Sequence, residues 1–317
     1  MPDRAALPMV AAFAAIYLIW GSTFLAIRYA VGTIPPYMMM SGRSLGGGLI
    51  LLGLWRIREP QSPWPSRREW AGAAILGWLF FVTGHGLLAR EEQYVPSGST
   101  ALCAATIPLF VPLLTWLVPG GGRPSGRTSA ALAAGFVGVA LLVAARGSGG
   151  GLTPVDASLL LLMALSWAAG TVAARLVPVP SSPLAASGLP LLAGAAMLAV
   201  VALVSGEAGG FDAGQVSGKS LAGLAYLVVM GTVVTFSAYM WLLRHVTPTR
   251  VATYAFVNPA VAVVLGWAVA GEGLSPGTLL ATAVIIGAVA VAVSDRPRPQ
   301  LEASVSSASP SPSSARS

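Results

Sequence analysis

The sequence predicts an all-α integral membrane protein whose ten transmembrane helices form two inverted repeats of five. Three observations carry this expectation. Hydrophobic residues make up 55% of the 317 residues and charged residues only 9%, far below the roughly 25% charged expected of a soluble domain. The apolar residues gather into ten stretches, most of them near the roughly 20 residues a helix needs to cross a hydrocarbon core about 30 Å thick. The second five stretches echo the first five.

Taken in order, the first stretch, 7–28, carries Trp20 in mid-span and ends at Arg28. A single early basic residue and a long apolar run mark it as a retained helix rather than a cleaved leader. The second, 37–55, holds Arg43, and the third, 70–89, holds His85 and is followed by Glu91 and Glu92. The fourth, 99–118, contains Cys103, Pro108 and Pro112; the fifth, 128–145, contains Ala134 and Gly138. The sixth, 155–175, carries Trp167 and Thr171 and closes on Arg175; the seventh spans 184–204. The eighth, 220–243, holds Tyr239 and Trp241, and the ninth, 250–270, holds Tyr254, Asn258 and Pro259. The tenth, 277–293, holds Ala283 and Gly287. Trp55, Trp70 and Trp116 fall near span ends, where interfacial anchoring is the ordinary role. Residues 294–317 are rich in Ser and Pro, the composition of a disordered tail.

The repeat is visible residue by residue. Trp20-Gly-Ser-Thr-Phe-Leu-Ala-Ile-Arg28 parallels Trp167-Ala-Ala-Gly-Thr-Val-Ala-Ala-Arg175, Pro108 parallels Pro259, and Ala134/Gly138 parallel Ala283/Gly287. Such traces mark a duplication. Because five is odd, the second copy enters from the opposite side, and an inverted pair of this kind can open alternately to either face around a site at mid-depth.

Orientation follows from the basic residues. With the N-terminus cytoplasmic, thirteen of the 18 Lys and Arg lie on the cytoplasmic side, Arg28, Arg90, Arg146 and Lys219 lie outside, and Arg43 lies within a span. That bias sets topology and returns the C-terminus to the cytoplasm. The net charge of +7 sits in short connections rather than on a soluble face, so nucleic acid is not an expected partner. A lone Cys103 makes no intramolecular disulfide.

Trp20-Gly-Ser-Thr, Val95-Pro-Ser-Gly98, Ala105-Thr-Ile-Pro-Leu109 and Asn258-Pro259, in this order across ten spans, resemble the EamA branch of the drug/metabolite transporter superfamily. The likeness is greatest to its bacterial inner-membrane drug/metabolite exporters. It implies two repeats, 10–146 and 154–293, with both termini cytoplasmic. It also implies a multi-pass inner-membrane protein that exports or exchanges small metabolites, amino-acid-like solutes or amphipathic drugs, as monomer or homodimer. No cofactor or metal is implied.

Candidate residues follow from chemistry. Arg43 is a charge at membrane depth, and such groups face the protein interior or a water-filled cavity. It either snorkels or pairs with Glu91 or Glu92, or it meets an anionic group of the solute. Trp20, Ser22, Thr23, Trp167, Thr171, Tyr239, Trp241, Tyr254 and Asn258 form the aromatic and polar set expected of a small-molecule cavity. Filling space between helices is the competing role for each. Pro259 frees the carbonyl at Ala255, which draws attention to Asn258. For proton coupling, His85, Glu91 and Glu92 are the candidates, since no carboxylate lies near a helix centre. Pro108, Pro112 and Pro259 are expected to kink their helices, and the small-residue pairs to pack the halves together, with a dimer interface as the alternative. His245 is expected to be solvated beside Arg244.

Two other function classes fit the sequence less well. An intramembrane enzyme such as a serine hydrolase needs an activated serine within reach of a histidine; Ser97, Ser99 and His85 are present, but Pro96 sets those serines at a span boundary. No nucleotide-cradling loop or His-Glu-x-x-His zinc pattern occurs. A membrane sensor or scaffold requires a soluble domain, and the internal connections are too short for one. A transporter, not an enzyme, is the expectation.

Overall fold

The computed structural model describes residues 6–119, 121–144, 152–246, 251 and 253–294. Nearly all of the predicted tail, from residue 295 on, lies outside them, as do Arg4, Arg146 and Arg250. Long helical segments follow one another: α1 Leu7–Ala30, α2 Pro36–Arg58, α3 Arg67–Glu91, α4 Ser97–Trp116, α5 Gly126–Ala144, α6 Pro154–Ala173, α7 Pro183–Val204, α8 Gly218–His245, α9 Tyr254–Ala270 and α10 Pro276–Ser294. Seven of these are long and apolar enough to cross a membrane; α9 and α10 contribute shorter apolar stretches, Val257–Ala270 and Pro276–Ala292. α2 has the length, but Ser41, Arg43, Ser44 and Gly46–Gly48 dilute its hydropathy.

Packing repeats between the halves. α2 lies along α7, α5 along α10, and α4 against α9, while α1 packs on α8 and α9 as α6 packs on α3 and α4. These contacts exchange as a two-fold relation requires. The helix caps repeat as well. Ser66 caps α3 and Ser217 caps α8; Ser125 caps α5 and Ser275 caps α10. Such caps satisfy amides that have no partner within the helix. Glu59 accepts from Ser182 Oγ at the start of α7 (2.7 Å), and Glu207 accepts from the Tyr37 and Met38 amides at the start of α2 (3.3 and 3.0 Å). Each half thus supplies an acid to the first turn of the other half's helix, where the helix dipole favours it.

Three wide, π-helical turns interrupt the helices: Ala15–Ile19 in α1, Trp78–Gly86 in α3 and Val229–Val234 in α8. Wide turns of this kind are rare and recur at functional sites. Nothing in the hydrophobic periodicity announces them. α4 also breaks at Ala105–Thr106, just before Pro108, whereas Pro259 sits inside a continuous α9.

The small-residue pairs divide. At Gly138, an added Cβ would meet Ile285 Cγ1 at 2.5 Å and Ile285 N at 3.2 Å, so α5 and α10 approach closely there. Gly287 has nothing within 4 Å, and Ala283 is exposed. α10 instead meets α5 through its Ala281, Ile285 and Ala288 face. Gly138→Leu is therefore expected to destabilise the protein by about 2 kcal/mol through overpacking. Gly287→Leu is expected to be near neutral, with thermal unfolding in detergent as the readout. A change of oligomeric state in Gly287→Leu would instead make that face a subunit contact.

Trp55 departs from its expected anchoring role. It is buried, and the Arg56 guanidinium stacks over both it and Trp64, at 4.1 and 3.8 Å from the ring centres. Trp70 and Trp116 are exposed.

Candidate functional site

A narrow cavity lies between the halves. Trp20, Thr23 and Phe24 of α1 line it, with His85 and Leu88 of α3 and the small residues Ala101, Ala104 and Ala105 of α4. The second half contributes Met163 and Trp167 from α6, and Tyr254, Asn258 and Pro259 from α9. Alanines on α4 leave room that larger side chains would fill.

Its wall is a cluster of rings. Trp20 lies 5.8 Å from Trp167 in an edge-to-face arrangement, 5.0 Å from Tyr239 and 5.3 Å from Tyr254. Trp167 in turn meets Phe80 at 4.8 Å and His85 at 4.7 Å. Tilted and edge-to-face pairs at these separations match the preferred geometry of aromatic quadrupoles. The two equivalent tryptophans of the repeat therefore meet at the centre of the molecule.

Donors aimed at the wide turns hold the cluster in place. Trp20 Nε1 donates to the Gly231 carbonyl of α8 (3.1 Å), which also accepts from Arg43 Nη2 (3.0 Å). Ser166 of α6 donates to the Leu79 carbonyl of α3 (2.9 Å). Asn258 of α9, with its amide nitrogen facing α1, donates to the Tyr17 and Ile16 carbonyls at 2.8 and 2.9 Å. Each wide turn thus has a carbonyl satisfied by a side chain from another helix, which is how irregular backbone is tolerated at membrane depth. By contrast, among the described residues Trp167 Nε1 and His85 Nδ1 have no hydrogen-bond partner of good geometry, although the Trp167 indole lies beside the Tyr239 and Tyr254 hydroxyls.

The sequence candidates distribute as follows. Trp20, Thr23, His85, Trp167, Tyr254 and Asn258 reach the cavity. Thr171 and Tyr239 sit behind its wall, hydrogen-bonded to each other at 2.8 Å. Ser22 bonds to the Ile19 carbonyl and to the Tyr226 hydroxyl. Trp241 stacks at 4.0 Å on His245, which ends α8, is exposed as expected, and donates from Nδ1 to the Trp241 carbonyl. Arg43 is 2% exposed and neither snorkels nor forms an ion pair within 4 Å among the described residues. Its Nε donates to Thr232 Oγ1 at 2.8 Å and its Nη2 to Gly231, tying α2 to the wide turn of α8.

The end of the bundle where α1 finishes is tied shut. Gly271 ends α9 with φ of 68° and delivers Glu272, whose carboxylate accepts from Ser97 N, Ser97 Oγ and Gly98 N at 2.9, 2.8 and 3.2 Å. Arg28 Nε lies 3.5 Å from the same carboxylate. Ser97 is thus engaged by a carboxylate, not by His85. Glu91 pairs with Arg90, while Glu92 is 1% exposed with neither oxygen partnered. At the opposite end a recess opens beside Arg175 and Arg244. The sequence gives no sign of Phe80, Ser166 or Thr232, and points to Glu272 only through its partners Ser97 and Gly98, which belong to the Val95-Pro-Ser-Gly98 motif. Among the described residues no group of three or more His, Cys, Asp or Glu is placed to hold a metal ion.

Comparison with known proteins agrees with this architecture. The chain is 35% identical over 295 residues to the inner membrane transporter YedA of Escherichia coli, covering 91% of this chain and 92% of that one. It is 26% identical over 275 residues to the protein PecM of Dickeya dadantii, covering 86% and 87%. A solved crystal structure with 22% identity superposes with a TM-score of 0.62 over 92% of this chain and 97% of its own, a likeness of fold. The profile of the EamA-like transporter family matches twice, at residues 7–144 and 156–294. This two-copy match makes the protein an all-helical membrane protein of the EamA-like transporter family, within the drug/metabolite transporter superfamily.

Proposed function

We propose that the protein is a secondary transporter of the bacterial inner membrane that exports or exchanges small organic metabolites. Its solutes are amino-acid-like compounds or amphipathic drugs. In this reading ten helices cross the bilayer as two inverted repeats, 10–146 and 154–293, with both termini cytoplasmic. The observation that carries it is the central cavity, built from both halves around the paired Trp20 and Trp167. Such a site suits a solute with an apolar body: rings supply the surface, and Trp167 Nε1, His85 Nδ1 and Thr23 offer a few polar contacts. The tie at the α1 end and the recess at the other fit a state closed outward and open inward, one of the two that alternating access requires.

The test is counterflow in vesicles reconstituted with the full chain, screened against amino acids, other metabolites and cationic amphiphiles. At least one class is expected to exchange, with the rate reduced at least tenfold in Trp167→Ala. Failure of every class to move, with folded protein confirmed in the vesicles, overturns the reading. Reporter fusions at the C-terminus are expected to report the cytoplasm.

A further inference from the structure

Glu92 is the buried acid that the structure leaves without an assignment. It follows α3, is 1% exposed, and among the described residues neither carboxyl oxygen has a hydrogen-bond partner within 3.5 Å, although the Arg28 main chain lies close by. An ionised carboxylate without partners is costly to bury. The charged groups that bear on it come from three other elements: Arg28 of α1, Arg43 of α2 and Glu272 after α9. On its own segment, Arg90 is occupied by Glu91, which also faces Asp156 at the start of α6.

Both cations near Glu92 are already engaged. Arg43 is held by Thr232 and Gly231. Arg28 is divided between the Val95 carbonyl, at 3.1 Å, and Glu272. Glu272 in turn holds the connection after α9 on the first turn of α4, a tie between the two halves. Gly266 makes room for it, since an added Cβ there would fall 2.4 Å from Glu272 Oε2. Two carboxyl groups thus compete for one arginine, and in this arrangement Glu272 holds it.

We infer that Glu92 is a proton-binding coupling site, and that its ionisation draws Arg28 away from Glu272 and opens the α1 end of the bundle. With the proton bound, Glu92 is neutral and tolerates its unpartnered burial, Arg28 stays with Glu272, and this end is closed. When the proton leaves toward the inward-facing side while the α1 end is still closed, the carboxylate needs a counter-charge and Arg28 is beside it. Losing Arg28 weakens the cap on α4 and frees the two halves to separate there. Proton binding from the α1 side then restores the closed arrangement, so one proton enters for each opening of this end. The inference rests on the alternating-access reading above and assigns the ion that such a transporter uses.

The test measures the gap directly, without a solute. Spin labels at Tyr94→Cys and Gly273→Cys, in a Cys103→Ala background of the full chain, report the distance between the two connections in nanodiscs from pH 5 to 9. The long-distance population is expected to grow at least threefold as pH rises. Glu92→Gln is expected to stay closed throughout, and Glu272→Gln to be open throughout. A distance independent of pH, or Glu92→Gln retaining the parent pH response, overturns the proposal. A response to Na+ at fixed pH in place of the pH response does so as well. If Glu92→Gln does not fold, the parent titration and Glu272→Gln decide. In vesicles, Glu92→Gln is expected to lose dependence on an imposed pH gradient. A gap that titrates while no solute ever moves sinks the transporter reading and leaves the switch standing. Transport whose gradient dependence survives Glu92→Gln sinks the switch alone.

Discussion

Replacing Arg43 by Met is expected to cost the protein about 3 kcal/mol, because charge-assisted hydrogen bonds contribute roughly 1.5–3 kcal/mol each. The guanidinium makes two of them across a helix interface, to Thr232 Oγ1 and the Gly231 carbonyl. Removing it takes two donors from the wide turn of α8, leaving the Thr232 hydroxyl only its bond to the Leu227 carbonyl and the Gly231 carbonyl only its bond from Trp20. Lysine keeps the charge but not the planar fork that reaches both acceptors, so Arg43→Lys should recover less than half of the loss. Thermal and denaturant unfolding in detergent provide the measurement. A double-mutant cycle with Thr232→Val should return a coupling energy of about 1 kcal/mol. Wild-type stability in Arg43→Met, together with lost transport, would make Arg43 a solute contact.

Trp167→Phe should raise the half-saturating solute concentration about tenfold, the equivalent of one hydrogen bond of about 1.4 kcal/mol, with no loss of stability. The ring contacts survive in large part, and the indole N–H that disappears lies beside the Tyr239 and Tyr254 hydroxyls without a hydrogen bond of good geometry to either. Trp20→Phe should do the reverse. Its Nε1 is spent on Gly231, so about 1 kcal/mol of stability is lost while apparent affinity changes little. Binding measured by counterflow, set beside unfolding midpoints, separates the pair. Equal effects of the two substitutions on affinity would remove Trp167 Nε1 from the solute site.

The comparison between these two tryptophans shows how far the sequence reaches. Their matched positions in the repeat were legible because a mid-span Trp followed by an Ala and an Arg at fixed spacing survives duplication. What each indole does was not, because orientation about the helix axis depends on which helix is opposite. The same holds for Arg43. A charge at membrane depth was evident, but its partners lie about 190 residues away in α8 and exist only where that helix widens. Thr171, Tyr239 and Ser22 were chosen for polarity and proximity to Trp, and they bond to protein groups instead of facing the cavity. Glu91 and Glu92 stand at the end of a span in the sequence, and their burial, at 0% and 1% exposed, appears only in the folded bundle.

By itself, then, the sequence determined the elements: apolar stretches long enough for a bilayer and a duplicated register. Those are local properties, set by composition and by spacing within some twenty residues. Only the tertiary structure decided the wide turns, the donors that satisfy them, the cavity where the halves meet, and the rivalry of Glu92 and Glu272 for Arg28. Each of these depends on groups more than sixty residues apart brought into contact where water is scarce and every polar atom must find a partner.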